Sequence, residues 1–78
     1  MEVTRGRVVC SKAGRDKNTF LAVVAVSGDW ILVCDGKARP LERPKKKNGK
    51  HVSVTNTLLT EEQLATNRQL RGALAALN

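Results

Sequence analysis

Aromatic residues are nearly missing from this chain, which has one tryptophan, one phenylalanine and no tyrosine in 78 residues. Proteins that read single-stranded bases stack them on successive aromatic rings. So few rings argue against a platform of that kind. Histidine occurs once and cysteine twice. A structural zinc site usually needs four ligands, so no metal is expected. One histidine and scattered carboxylates offer no evident nucleophile–base pair, and no enzyme activity, catalytic residue or cofactor is expected. The stretch Gly14-Arg15-Asp16-Lys17-Asn18 does not continue into the lysine and serine or threonine that a nucleotide-binding loop places at a helix start. No apolar run reaches the ~18–20 residues that span a bilayer, and no membrane association is expected. The N-terminus, MEVTRGRVV, lacks the apolar core of a signal peptide, which points to the cytoplasm.

Acidic residues are also scarce, and this gives the chain its character. Fourteen lysines and arginines stand against seven acids, a formal charge of +7. Residues 1–51 hold twelve of those cations and five of the acids, whereas residues 52–78 hold two of each. A basic balance of this size favours nucleic acid or an acidic membrane surface as partner. The membrane is the weaker of the two, because the cations are not laid along an amphipathic helix. A chain this short makes one domain with a thin core, which disfavours a deep enzyme cleft.

The hydrophobic pattern predicts short strands at Arg7–Cys10, Thr19–Val26 and Trp30–Cys34. Ser27-Gly28-Asp29 is a tight-turn signal, so Phe20 to Cys34 reads as a hairpin. Pro40-Leu41-Glu42 reads as a short edge strand, where proline is tolerated. Arg43–Lys50 reads as a solvated basic loop, and His51–Val54 as a last strand. Strands at this spacing suggest a small barrel or sandwich, and a barrel would leave no open edge. Cys10 and Cys34 read as buried thiols in a reducing compartment; a disulfide would need their strands to pair.

The C-terminal segment has helix signals instead. Thr60 and Gln63 fit a capping box, and Thr66 and Gln69 fit a second one. The segment is therefore either one helix from about Glu61 to Leu77, or a short turn and a helix from about Asn67. Leu70, Leu74 and Leu77 share one face, which either packs on the strands or docks a partner. The division is residues 1–57 as the strand-rich part and 58–78 as the helical part of one domain.

Several pieces together resemble a known family. Gly6, Val8 and Val9, then Ser11, Gly14, Arg15, Asp16 and Lys17, then the apolar run Phe20–Val26 resemble a KOW motif. Motifs of that kind occur in ribosomal proteins and transcription elongation factors. Gly28-Asp29-Trp30, Asp35-Gly36-Lys37, Pro44 to Lys47 and Thr55-Asn56-Thr57 extend the likeness over nearly the whole chain. It is similar to bacterial KOW-domain RNA-binding proteins related to a group of ribosomal proteins. The resemblance implies a mostly-β fold, a small SH3-like barrel with a C-terminal helix, and association with ribosomal RNA or the ribosome, without catalysis. Gly14 takes the place of the family's loop glycine. Asn18 stands where members often have a second glycine, and asparagine also tolerates positive φ.

RNA contact is expected from two basic groups. Lys12, Arg15 and Lys17 lie on the first loop, where Gly14 lets the backbone approach a ligand. Lys37, Arg39, Arg43, Lys45, Lys46, Lys47 and Lys50 form the second. Phosphate contacts should dominate, with weak sequence preference. Phe20 is assigned to the core. Trp30 begins a strand beside the Gly28-Asp29 turn and either packs in the core, the favoured reading, or lies partly exposed and stacks on a base. His51 is read as a strand-edge residue. Arg5 and Arg7 extend the basic face, whereas Arg68 and Arg71 face solvent or pair with acids. The protein is taken as a monomer with RNA as partner, ribosomal proteins being a further one. The alternative is an SH3-like module that binds a ribosomal or transcription protein.

Overall fold

The structure, a computed structural model, describes residues 3–77. Five strands come first: β1 (Arg7–Ser11), β2 (Phe20–Ser27), β3 (Trp30–Cys34), β4 (Lys45–Asn48) and β5 (Val52–Leu58). A nine-residue helix, α1 (Asn67–Ala75), closes the chain. The strands form one antiparallel sheet in the order β4-β3-β2-β1-β5. Its two edges, β4 and β5, are consecutive in the chain and joined by the 3₁₀ turn Gly49–His51. The fold is thus mostly β with a C-terminal helix. The sheet itself is open, and the edges that a closed barrel would remove are present.

The long apolar run of β2 follows from burial on both faces. Side chains alternate across a strand. Phe20, Ala22 and Val24 join Val8, Cys34, Leu41, Leu59, Leu64, Leu70 and Leu74 in one cluster. Leu21 and Val23 join Val9, Ile31, Val33 and Val52 in a second. The helix covers the first face; the second is enclosed by the sheet's own curvature. Register shifts at Arg7/Val9 and Val23/Ala25 mark irregularities of the kind that bend a strand and increase its twist.

Of the two readings of the C-terminal segment, the turn followed by a helix is the one observed. The first capping box forms: the Thr60 N–H donates to Gln63 Oε1 at 2.9 Å and the Gln63 N–H to Thr60 Oγ1 at 3.2 Å. Residues 61–64 nevertheless make only a turn. Thr66 caps α1, its hydroxyl accepting from the Gln69 N–H at 3.1 Å. Leu70 and Leu74 are enclosed against the sheet, so the stripe packs internally over these two leucines, whereas Leu77, past the end of α1, is 38% exposed. Thr66→Ala should cost about 1 kcal/mol, read as a fall of ~4–8 °C in a thermal melt.

Three expectations are corrected. Pro40–Glu42 is a turn and not an edge strand. The Arg43 N–H donates to the Pro40 carbonyl at 2.9 Å, and the Leu41 N–H is taken by the Asn67 side chain at 2.7 Å. The basic segment expected as a loop contains strand β4, whose Lys45, Lys46 and Lys47 pair with Val33, Leu32 and Ile31. The last strand is longer than expected, running to Leu58, while His51 belongs to the 3₁₀ turn. Both cysteines are free. Their strands, β1 and β3, flank β2 and do not pair with each other. Cys34 is buried and its thiol is pushed up to about 11, by burial first and then by Asp35 and Glu42. Cys10 is only half-buried.

Candidate functional site

The first basic loop, Lys12–Thr19, is held from within. Gly14 and Asn18 both take left-handed backbone, with φ of 87° and 70°. The Asn18 N–H donates to the Ser11 carbonyl at 2.8 Å and the Lys17 N–H to the Gly14 carbonyl at 3.2 Å. Lys12, Arg15 and Lys17 are all exposed on this frame. The side chain that turns inward is Asp16. Its Oδ1 lies 2.9 Å from the Ser11 hydroxyl and 3.1 Å from Lys47 Nζ, and its Oδ2 lies 3.5 Å from Lys45 Nζ.

Lys45 and Lys47 come to Asp16 because β4 alternates. They face the same side as Val33 and Ile31, their partners across the ladder, whereas Lys46 faces the side of Leu32. Lys47 is only 7% exposed and also donates to the Ala13 carbonyl at 3.1 Å. Its ammonium therefore holds the loop's shape and, unlike the other lysines expected to meet RNA, is not open to a partner. Lys45 is half-buried beside it. Burial by itself would raise the Asp16 carboxyl. Hydrogen bonds from Lys47 and Ser11, with the charges of Lys47 and Lys45, outweigh it and bring the group below its ordinary value.

A second tie sets the 3₁₀ turn beside the loop: the Lys12 N–H donates to the His51 carbonyl at 2.8 Å. Lys50 and His51 are exposed there. One end of the molecule thus gathers Lys12, Arg15 and Lys17 from the loop with Lys45 and Lys50 from the β4–β5 passage.

The other half of the second basic group is anchored elsewhere. Asp35 Oδ1 accepts from the N–H groups of Lys37 and Arg39, both at 2.8 Å, which shapes the turn after β3. This turn is fastened to the start of α1. Asn67 accepts from the Leu41 N–H and donates to Glu42 Oε1 at 2.8 Å. Lys37 lines a shallow cleft with Arg71, Leu74 and Ala75 of the helix. Lys37, Arg39 and Arg43 are exposed on this turn, whose backbone is held by Asp35, by the Pro40 carbonyl and, through Leu41 and Glu42, by Asn67. Lys37 and Arg39 thus take their positions from the Asp35 turn, and Lys45 from the Asp16 tie.

Arg5 does not extend that face. It forms an ion pair with Glu61, with Nη2 to Oε1 at 3.0 Å, and donates to the Val24 carbonyl at 2.9 Å. The hydrogen bonds from Arg5 hold the Glu61 carboxyl below its ordinary value. Arg7 is half-buried and donates to the Asn56 carbonyl at 3.3 Å.

Of the two readings of Trp30, core packing does not hold: the ring is 44% exposed, with Lys46 Nζ 4.6 Å from its centroid. The sequence signal for this exposure is its position at the start of β3, beside the Gly28-Asp29 turn. Phe20 packs against the helix-side cluster as expected. Among the described residues, no helix is long and apolar enough to cross a membrane. No protein-family model matches the chain, and no curated protein matches it.

Proposed function

We propose that this protein is an RNA-binding module of the KOW type, its curved sheet a variant of the SH3-like barrel, and that it docks on structured RNA, ribosomal RNA foremost, in the cytoplasm. The observation that carries the reading is the tie from Asp16 to Lys45 and Lys47, which joins the first loop to β4 and fixes its shape. A loop ordered in advance loses little freedom on binding. Its exposed Lys12, Arg15 and Lys17 then meet phosphates together with Lys50. Arg15 has the planar fork that grips phosphate through two hydrogen bonds. The net charge of +7 supplies long-range attraction to the same kind of partner.

The test is affinity for a structured RNA across a range of salt concentrations. The double variant Arg15→Ala/Lys17→Ala should bind about tenfold more weakly whatever the RNA sequence. Its salt slope should be shallower by ~1.5 log units per log salt, from two lost phosphate contacts. A wild-type affinity that does not respond to salt would refute RNA docking and favour a protein partner at the sheet edge.

A further inference from the structure

The helix covers only part of the sheet face it packs on. Its cluster takes Phe20, Ala22, Val24 and Cys34. The ladder places Ser27, Trp30 and Leu32 on the continuation of that face, with Lys46 and Asn48 of β4 beside them. Trp30 is the one large ring of this uncovered area, and its neighbours across the strands, Ser27 and Asn48, are polar. We infer that Trp30 and Lys46 form a site for one unpaired nucleotide, the base stacking on the indole and the lysine meeting the attached phosphate. The proposal rests on the RNA-binding reading and names the feature of the RNA that this face selects.

The chemistry favours a nucleotide over an apolar protein segment. A lone ring flanked by Ser27 and Asn48, with only the half-buried Leu32 and Ala25 as apolar neighbours, gives little area for an apolar partner, but it suffices for one base, since every base has a π-face. Lys46 already lies over the ring as a cation–π contact. An exposed contact of that sort is weaker than base stacking, so a base can displace it. The flexible lysine stem then keeps the ammonium near the ring, where the phosphate of the stacked nucleotide would follow. Lys46 is also next to Lys45 on an edge strand, so an RNA backbone along β4 passes from the first loop's end of the molecule to the tryptophan face.

Trp30 is the only tryptophan in the chain, so its fluorescence reports this site alone. The experiment uses the full chain and two synthetic RNAs, a fully paired hairpin and the same stem with a single bulged adenosine. The bulged RNA should quench the emission and bind about 5- to 150-fold more tightly than the paired one, the range that one stacked base supplies. Trp30→Ala should abolish that preference while still binding the paired stem, and Trp30→Phe should keep part of it. Equal affinity for the two RNAs without quenching would overturn the nucleotide site and leave docking by the loop intact. Unchanged RNA affinities in Trp30→Ala would also overturn it and assign the ring to another kind of partner. Failure of the wild-type protein to bind either RNA would sink the site together with the RNA-binding reading.

Discussion

Replacing Asp16 by alanine should lower the melting temperature by roughly 12–24 °C, even though it removes an acid from a basic protein. The variant leaves Lys47, 7% exposed, with an uncompensated charge beside the Ala13 carbonyl. Breaking such a pair from one side costs about 3 kcal/mol. A chain of this size has about 4–12 kcal/mol in all, so the loss is a large share. For domains of 60–100 residues each kcal/mol is worth ~4–8 °C. Simple charge arithmetic gives the opposite sign, because Asp16→Ala raises the net charge and should help polyanion binding. The loop's three exposed cations, however, depend on the carboxylate for their placement. RNA affinity should therefore fall or stay level at temperatures where the variant is still folded.

The same group predicts a pH response. Asp16 sits below its ordinary value in the folded protein. Its contribution is thus complete above the unfolded carboxylate range, near pH 4, and is lost as the pH falls through the depressed folded value. Asp16→Asn should be less stable than wild type at pH 7, and the difference should shrink steadily below about pH 4. Denaturant melts at the two pH values measure it directly. A constant gap down to pH 2 would show that the carboxylate's charge is not what stabilises the loop.

Gly36→Ala is the other substitution expected to have a large effect. Gly36 has φ of 78°, and a Cβ there would run into the backbone carbonyl of Asn67, with the Arg71 nitrogen 3.0 Å away. Backbone at this position cannot yield without moving α1 off the turn after β3. We expect a loss of about 2–3 kcal/mol, of which ~1–2 is the left-handed conformation itself. Gly28→Ala is the control. Gly28 also has positive φ, 59°, but nothing lies within 4 Å of the added carbon. It should cost only the conformational part, about 1 kcal/mol. Equal losses in the two variants would mean that the close approach of Gly36 to the helix does not matter.

Much of the fold could be read from local signals, and the failures share one cause. The first three strands are marked by β-branched and apolar runs, and the turn at Gly28 by its own chemistry. Thr66 announces the helix because a cap acts within three residues. Three consecutive lysines, in contrast, carry no hydrophobic period, so β4 looks like a loop. It becomes a strand because its inward lysines, Lys45 and Lys47, meet a carboxylate 29 and 31 residues away in the sequence, on a different loop. Asn67 is similar: its bonds to Leu41 and Glu42 span 26 and 25 residues and decide that Pro40–Glu42 turns. The position of the first basic loop was legible, as was Asn18 taking positive φ in place of a glycine. That Lys47 works as an internal strut, and that Trp30 lies open, depends on which strand stands next to which.

The lysines of β4 have a consequence for copies of the protein meeting one another. An open sheet ends in unmatched peptide groups, and a neighbour's border strand can add to them without limit. Two β4 strands brought side by side would bring together the exposed Lys46 of each copy, the one lysine of the three that Asp16 does not neutralise, and like charges set near one another repel. Self-addition along this border is thus discouraged by electrostatics and not by covering the strand. Such a guard weakens as ionic strength rises, since salt screens exposed charges.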